Sequence, residues 1–257
     1  MLPKVQKFFL VQSEGLDNII GFAYKLLRIR FHDELLILNR NSLAAILGQG
    51  TEQISTLEKE LPPWTLVIGL TGRDILAEER VEFLEKDITD MAQQFNVRLE
   101  SAIPGATGDQ VGEAVLNSST EPCWKLRSKG GCQDIFFLTT LNRVPEFVAT
   151  MNSMAEALNY PLSDLGVYIQ PTHMGTSCHV EFSLTYDPGD QKETSKVLEL
   201  FTRASEELSK QGAFYTRPYG IWADMAYSRN AEHTSISKKL KGIFDPNNVL
   251  NPGKLCF

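Results

Sequence analysis

Gly166-Val167-Tyr168-Ile169-Gln170, a turn at Gly175-Thr176-Ser177, and His179-Val180-Glu181-Phe182-Ser183-Leu184-Thr185-Tyr186 form the stretch that decides how this chain folds. In the second run Val180, Phe182, Leu184 and Tyr186 share one face, while Glu181, Ser183 and Thr185 share the other. Alternation at period two marks an antiparallel strand with one side on a core and the other toward water. Two such strands joined by a short turn set an antiparallel sheet as the frame of the second half.

Working outward, residues 134–140 read as a strand and residues 144–158 as a helix, with Pro145 in its first turn and Phe147, Val148, Met151, Met154 and Leu158 turned inward. Residues 190–211 form the next helix, and Gly212-Ala213-Phe214-Tyr215 begins a last strand. The first half repeats the order. Phe8-Phe9-Leu10-Val11 is a strand, and Ile19, Ile20, Ala23, Tyr24 and Leu27 recur at helical spacing over residues 16–28. Glu34-Leu35-Leu36-Ile37-Leu38-Asn39 is a strand, residues 41–47 a short helix, and Trp64-Thr65-Leu66-Val67-Ile68-Gly69-Leu70 a strand. Residues 75–95 are a helix, and Val97-Arg98-Leu99-Glu100 closes the set. Residues 101–131 have little period and read as a long connection with one or two short helices.

Each half thus spells strand, helix, strand, strand, helix, strand, the ferredoxin-like order. The expected fold is α+β. Two duplicated ferredoxin-like units, residues 5–100 and 133–216, form one large antiparallel sheet with helices on one face, and residues 217–257 are a docking segment of the same single domain, 1–257.

With 42% hydrophobic and 22% charged residues over 257 positions, the chain has the make-up of a folded protein with a substantial core. A formal net charge of −7 argues against nucleic acid or an anionic membrane as partner, and Lys238-Lys239-Leu240-Lys241 reads as a solvated helix face. Cys123, Cys132, Cys178 and Cys256 form no CxxC pair, which fits a reduced, cytoplasmic setting. Met1-Leu2-Pro3-Lys4 leads into a short strand without a signal-peptide cleavage site, and no run reaches the ~18 apolar residues of a membrane span.

His173, Cys178 and His179 stand close in sequence and carry chemistry that zinc accepts, but a fourth ligand and a zinc spacing are missing, so no metal is expected. Ile103-Pro104-Gly105-Ala106-Thr107-Gly108 lacks the GxGxxG spacing and the lysine of a phosphate loop and reads as a turn. More suggestive is Tyr215-Thr216-Arg217-Pro218-Tyr219-Gly220-Ile221-Trp222, where a guanidinium fork stands among rings able to stack. That set suits a planar or anionic group, although composition alone favours an amphipathic segment with its aromatics in the core.

The tail Lys241-Gly242-Ile243-Phe244-Asp245-Pro246-Asn247-Asn248-Val249-Leu250-Asn251-Pro252-Gly253-Lys254 holds two X-Pro turns that restrict the backbone, so it is built to dock. It closely resembles the C-terminal signature of FAD-linked oxidases of the vanillyl-alcohol oxidase and p-cresol methylhydroxylase type, shared with D-lactate and glycolate dehydrogenases. Residues 212–217 resemble the Gly-x-Tyr-Arg segment of the aryl-alcohol branch, except that Thr216 separates Tyr215 from Arg217. The His-x-Gly-Asp-Gly-Asn-x-His motif of the lactate and glycolate branch is met only by His173, Gly175 and His179, so a family-type metal site is not implied.

The resemblance covers the cap, or substrate, domain of that family, a large antiparallel sheet lying over the flavin, and not its FAD-binding domain. It implies a cap-domain subunit of a split FAD-dependent oxidoreductase, working with a separate FAD-binding subunit. Hydride would pass to flavin from a small-molecule substrate of the alcohol or hydroxy-acid type. Arg217 and Tyr215 would be catalytic, Tyr219 and Trp222 would bind substrate, and Asn251 and Lys254 would lie on the cofactor seam. FAD would bind the isolated chain weakly or not at all. The alternatives are a non-catalytic binding or assembly module with the cap fold, self-associating as a homodimer through the free sheet face, or a fragment of a full-length oxidase.

Overall fold

The apolar runs and helical stripes become, in chain order, β1 (Val5–Ser13), α1 (Leu16–Ile29), β2 (Glu34–Asn39), α2 (Arg40–Leu47), α3 (Thr51–Glu60), β3 (Trp64–Gly72) and α4 (Ala77–Gln94). A short hairpin, β4 (Ala102–Ile103) and β5 (Ala106–Thr107), leads into α5 (Gly108–Leu116). Then follow β6 (Gly131–Thr139), α6 (Val144–Ala157), β7 (Leu165–Thr172), β8 (Ser177–Tyr186), α7 (Gln191–Lys210), α8 (Ile221–Tyr227) and α9 (Ala231–Phe244). The computed structural model describes residues 3–73, 75–117, 123–172 and 175–252. None of its helices among these residues is long and apolar enough to cross a membrane.

Six strands form one sheet in the order β1-β3-β2-β7-β8-β6, every neighbour antiparallel. The halves meet at β2 and β7 through Ile37↔Ile169 and Leu38↔Tyr168. Asn39 extends this seam where the ladder ends: its amide donates to the Leu165 carbonyl at 2.8 Å, and its side-chain oxygen accepts from the Val167 N–H at 2.8 Å and the Ser42 N–H at 3.0 Å. One side chain therefore stitches the sheet and caps α2. The expected closing strands shrink to single bridges at the outer edges, Leu10↔Glu100 beyond β1 and Leu138↔Phe214 beyond β6.

The main core lies on one face, where α1, α4, α6 and α7 cover Phe9, Val11, Ile37, Ile68, Phe137, Val167, Val180 and Phe182. α7 begins at Asp190, whose carboxylate accepts the Lys192 and Glu193 N–H groups, and it buries Val197, Leu200, Ala204, Ser205 and Leu208 along one stripe. Burying one such Phe or Leu contributes about 1.5–3 kcal/mol.

Helices on one face only is not what the chain adopts. A second core covers the opposite face of β1, β3 and β2, where Phe8, Leu10, Leu36, Leu38 and Val67 meet Leu43 and Ile46 of α2, Ile54 and Leu57 of α3, and Val111 of α5. The reason is in the strands: Phe8-Phe9-Leu10-Val11 and Leu35-Leu36-Ile37-Leu38 are apolar in both phases, and a strand apolar in both phases must be buried on both faces. Contact there is close, since a Cβ on Gly108 would stand 2.0 Å from the Phe8 carbonyl oxygen and one on Gly112 2.1 Å from the Phe8 ring. On the alternating strands β6, β7 and β8 that second cover is only partial, with α2 against β7 and residues 124–126 against β6 and β8, and the face there is polar.

Candidate active site

Strand register arranges that polar face into rows. Asp134 and Gly166 flank Ser183, Phe136 and Tyr168 flank Glu181, and Leu138 and Gln170 flank His179. A helical turn at Trp124–Leu126 brings Lys125 over the first two rows, with Nζ 2.7 Å from Asp134 Oδ2 and 2.5 Å from Glu181 Oε1. Ser183 donates to Asp134 Oδ1 at 2.8 Å, and His179 Nε2 stands 3.8 Å from Glu181 Oε2. The Lys125 and Glu181 side chains are only 17% and 16% exposed. Beside them opens a cavity of about 250 Å³ walled by Ile46, Ala114, Val115, Trp124 and Tyr168.

Charge and burial compete here. Burial pushes the Lys125 ammonium down, but Asp134 and Glu181 outweigh it and raise its pKa above the ordinary lysine value. Burial likewise pushes the Glu181 carboxyl up, yet His179 and Lys125 pull it below the usual range. Tyr168, its hydroxyl donating to Gln170 Oε1 at 3.1 Å, is pushed up to about 12 by burial and the Glu181 charge. Burial and Asp134 also raise the Cys132 thiol, which opposes thiolate chemistry. Among the described residues no group of three or more His, Cys, Asp or Glu side chains is placed to hold a metal ion.

Phe136 to His179 at 6.1 Å and His179 to Tyr168 at 6.3 Å lie on this face, and Phe136 to Trp222 at 5.1 Å and Trp222 to Tyr219 at 5.4 Å continue the row round into the main core. Of the residues expected from sequence, Tyr219 stands half-exposed at the end of this row. Trp222 is 1% exposed, stacks on Tyr215 at 4.7 Å and donates from Nε1 to Ser205 Oγ at 2.9 Å. Tyr215 is buried, with its hydroxyl donating to the Ser205 carbonyl at 2.8 Å. Both pack as core residues against α7. Arg217 is exposed and makes no hydrogen bond or ion pair with another described residue. Asn251 is exposed in a left-handed backbone conformation, φ 49°, while Lys254 and His173 lie outside the described residues.

Among the described residues, 241–252 fold onto their own helix rather than the sheet. Asp245 accepts from the Val249 and Leu250 N–H groups at 2.8 and 2.9 Å and pairs with Lys241, which also donates to the Leu250 carbonyl at 2.6 Å. The Lys241 hydrogen bond, then the Val249 N–H, lowers the Asp245 carboxyl below its ordinary value. This closed loop turns Ile243, Phe244, Val249 and Leu250 outward, and α9 buries none of its side chains.

Lys125, Asp134, Phe136 and Tyr168 escaped the sequence reading. Asp134 and Phe136 share one phase of a single strand, as Glu181 and Ser183 do on β8, and that phase was the available signal. Lys125 sits in a stretch without period, so nothing in sequence could place it.

Fold and face together define a class: an α+β domain on one antiparallel sheet that keeps an aromatic, carboxylate-backed face partly open. The chain belongs to the FAD linked oxidases, C-terminal domain, family, whose model matches residues 33–255. Among solved structures it is similar to p-cresol methylhydroxylase with substrate bound, at 16% identity and TM-score 0.71, covering 98% of this chain and 53% of that one. The isoeugenol complex of 4-ethylphenol oxidase from Gulosibacter chungangensis gives 15% identity and TM-score 0.75, with 98% and 54% covered. Alkyldihydroxyacetonephosphate synthase gives 10% and 0.57, with 98% and 45% covered. The chain therefore spans about half the length of these proteins, and at such identities the likeness carries the fold. No curated relative matches it.

Proposed function

We propose that this chain is the substrate-side half of a flavin-dependent oxidoreductase whose FAD-binding part is a separate subunit, and that it oxidises an alcohol-type or hydroxy-acid substrate by hydride transfer to the flavin. The observation that carries this reading is the uneven cover of the sheet: both faces are packed in β1–β3, while β6–β8 keep a row of rings backed by Lys125 and Glu181. Phe136, His179 and Tyr168 suit the side of a flat ring system. The turn at Gly105, the glycine-rich stretch nearest to a phosphate loop in the sequence, packs against Glu60 and Leu61. FAD supplies a two-electron acceptor when bound. The chain's own residues orient the substrate, exclude water and handle its proton.

In this reading Arg217 stabilises negative charge on substrate or reduced flavin, and Tyr219 borders the substrate. Tyr215 and Trp222, clamped by Ser205, hold the segment that presents both. The exposed apolar stripe of α9 and the tail, with Asn251 and Lys254, forms the seam with the FAD-binding subunit. We read the halves as two ferredoxin-like units facing each other, a reading supported by the strand order β1-β3-β2 and its mirror β7-β8-β6. A reduced, cytoplasmic setting suits the unpaired Cys123, Cys132 and Cys178.

Co-expression with a candidate FAD-binding chain tests the proposal. The expected product is a yellow complex that bleaches anaerobically on adding an aryl alcohol or a hydroxy acid, and Arg217→Ala should assemble but fail to bleach. A colourless protein that never associates with any FAD-binding chain would sink it. If sedimentation shows a homodimer that a charge placed on the open sheet face breaks apart, the chain is an assembly module instead.

A further inference from the structure

We propose that His179, backed by Glu181 and Lys125, is the group that accepts the substrate's hydroxyl proton; the inference rests on the oxidoreductase reading above. Converting an alcohol to a carbonyl breaks two bonds to hydrogen. The carbon gives up a hydride with its electron pair to the flavin, the O–H proton must go to a base, and the oxygen's electrons complete the C=O bond. A base is therefore required on the substrate side.

Glu181 is held by Lys125 at 2.5 Å and the Cys132 thiol donates to Asp134, which leaves four other groups on this face that titrate or carry charge, and geometry separates them. Lys125 is an ammonium between two carboxylates and has no lone pair to offer. Asp134 is spent on Lys125 and Ser183. Tyr168 already donates its proton to Gln170. His179 remains: it stands in the ring row between Phe136 and Tyr168, its Nε2 turned to Glu181, and its Nδ1 has no hydrogen-bond partner among the described residues.

The charge balance points the same way. Asp134 and Glu181 outnumber Lys125, so the half-buried set carries one net negative charge that an imidazolium on His179 cancels. Lys125 keeps Glu181 ionised and aimed, and the 3.8 Å gap between Glu181 and His179 should tighten on protonation.

Two measurements decide this. On the isolated chain, the NMR signals of the His179 ring, assigned with His179→Gln, should move in Glu181→Gln, because the ring loses its carboxylate neighbour. Unmoved ring signals would overturn the pairing. In the reconstituted complex, His179→Gln should cut the flavin-bleaching rate ~100-fold or more. Full-rate bleaching by His179→Gln, with unchanged far-UV circular dichroism, would refute the role of His179 and leave the oxidoreductase reading standing. A wild-type complex that no alcohol bleaches would overturn both as catalysis, while the ring signals still report on the pairing.

Discussion

Replacing Ser205 by alanine is the most direct way to ask what the aromatic segment does. The hydroxyl of Ser205 accepts the single N–H of the Trp222 indole at 2.9 Å, and Ser205 and Trp222 are 0% and 1% exposed. Alanine leaves the indole N–H buried without an acceptor, a loss of about 1–3 kcal/mol. It also improves helix propensity at a mid-helix position, returning up to about 0.5 kcal/mol. The Tyr215 hydroxyl is unaffected, because its acceptor is the Ser205 backbone carbonyl. The expected net loss is about 1–2 kcal/mol, or roughly 2–8 °C in Tm for a domain of this size. Urea unfolding followed by far-UV circular dichroism measures it. Trp222→Phe, alone and combined with Ser205→Ala, completes a double-mutant cycle with an expected coupling near 1 kcal/mol. A Ser205→Ala protein within about 0.5 kcal/mol of wild type, or strictly additive variants, would refute the idea that Ser205 anchors Trp222.

Three further outcomes are expected. Lys125→Met leaves Asp134 and Glu181 without their cation and should cost about 2 kcal/mol at neutral pH, less than for a fully buried pair because some water reaches the site. Glu181, held low in the wild type, stabilises the fold above its unfolded pKa and loses that effect as pH falls through its folded value, so the gap between variant and wild type should close on acidification; a gap constant with pH refutes the pairing. Asp245 is likewise held low, so the Val249 and Leu250 amides should stay protected above the ordinary carboxylate range and open as pH falls through the lowered value; hydrogen exchange should show this in the wild type and a flat profile in Asp245→Asn. Asn39→Leu removes the α2 cap and orphans the Val167 N–H, an expected loss of about 2–3 kcal/mol by urea unfolding, and equal stability would show the seam to be held otherwise.

The frame of the second half was legible because β8 alternates: Val180, Phe182 and Leu184 are buried, and Glu181 and Thr185 look to the other side. The first half carries its own signal in the consecutive apolar runs Phe8–Val11 and Leu35–Leu38, which demand cover on both faces. α3 was invisible because it buries only Ile54 and Leu57, too few to establish a period. The site was half legible. Tyr219 reaches the ring row and Trp222 anchors it, whereas Lys125 is brought over the sheet by a turn whose path depends on tertiary contacts such as Arg127 donating to the Gly48 carbonyl at 2.9 Å.

The narrow join between β2 and β7 also bears on how the molecule assembles in time. Its hydrogen bonds through Asn39 link residues 126 and 128 positions apart, so the two sub-sheets must each close their own nearer contacts before the join rewards the loss of chain entropy. The open, ring-lined face spans β6 to β8 and is complete within one sub-sheet. Its strand geometry is therefore set early, and joining the halves adds the α2 and α5 walls of the cavity, Ile46, Ala114 and Val115, as a late step.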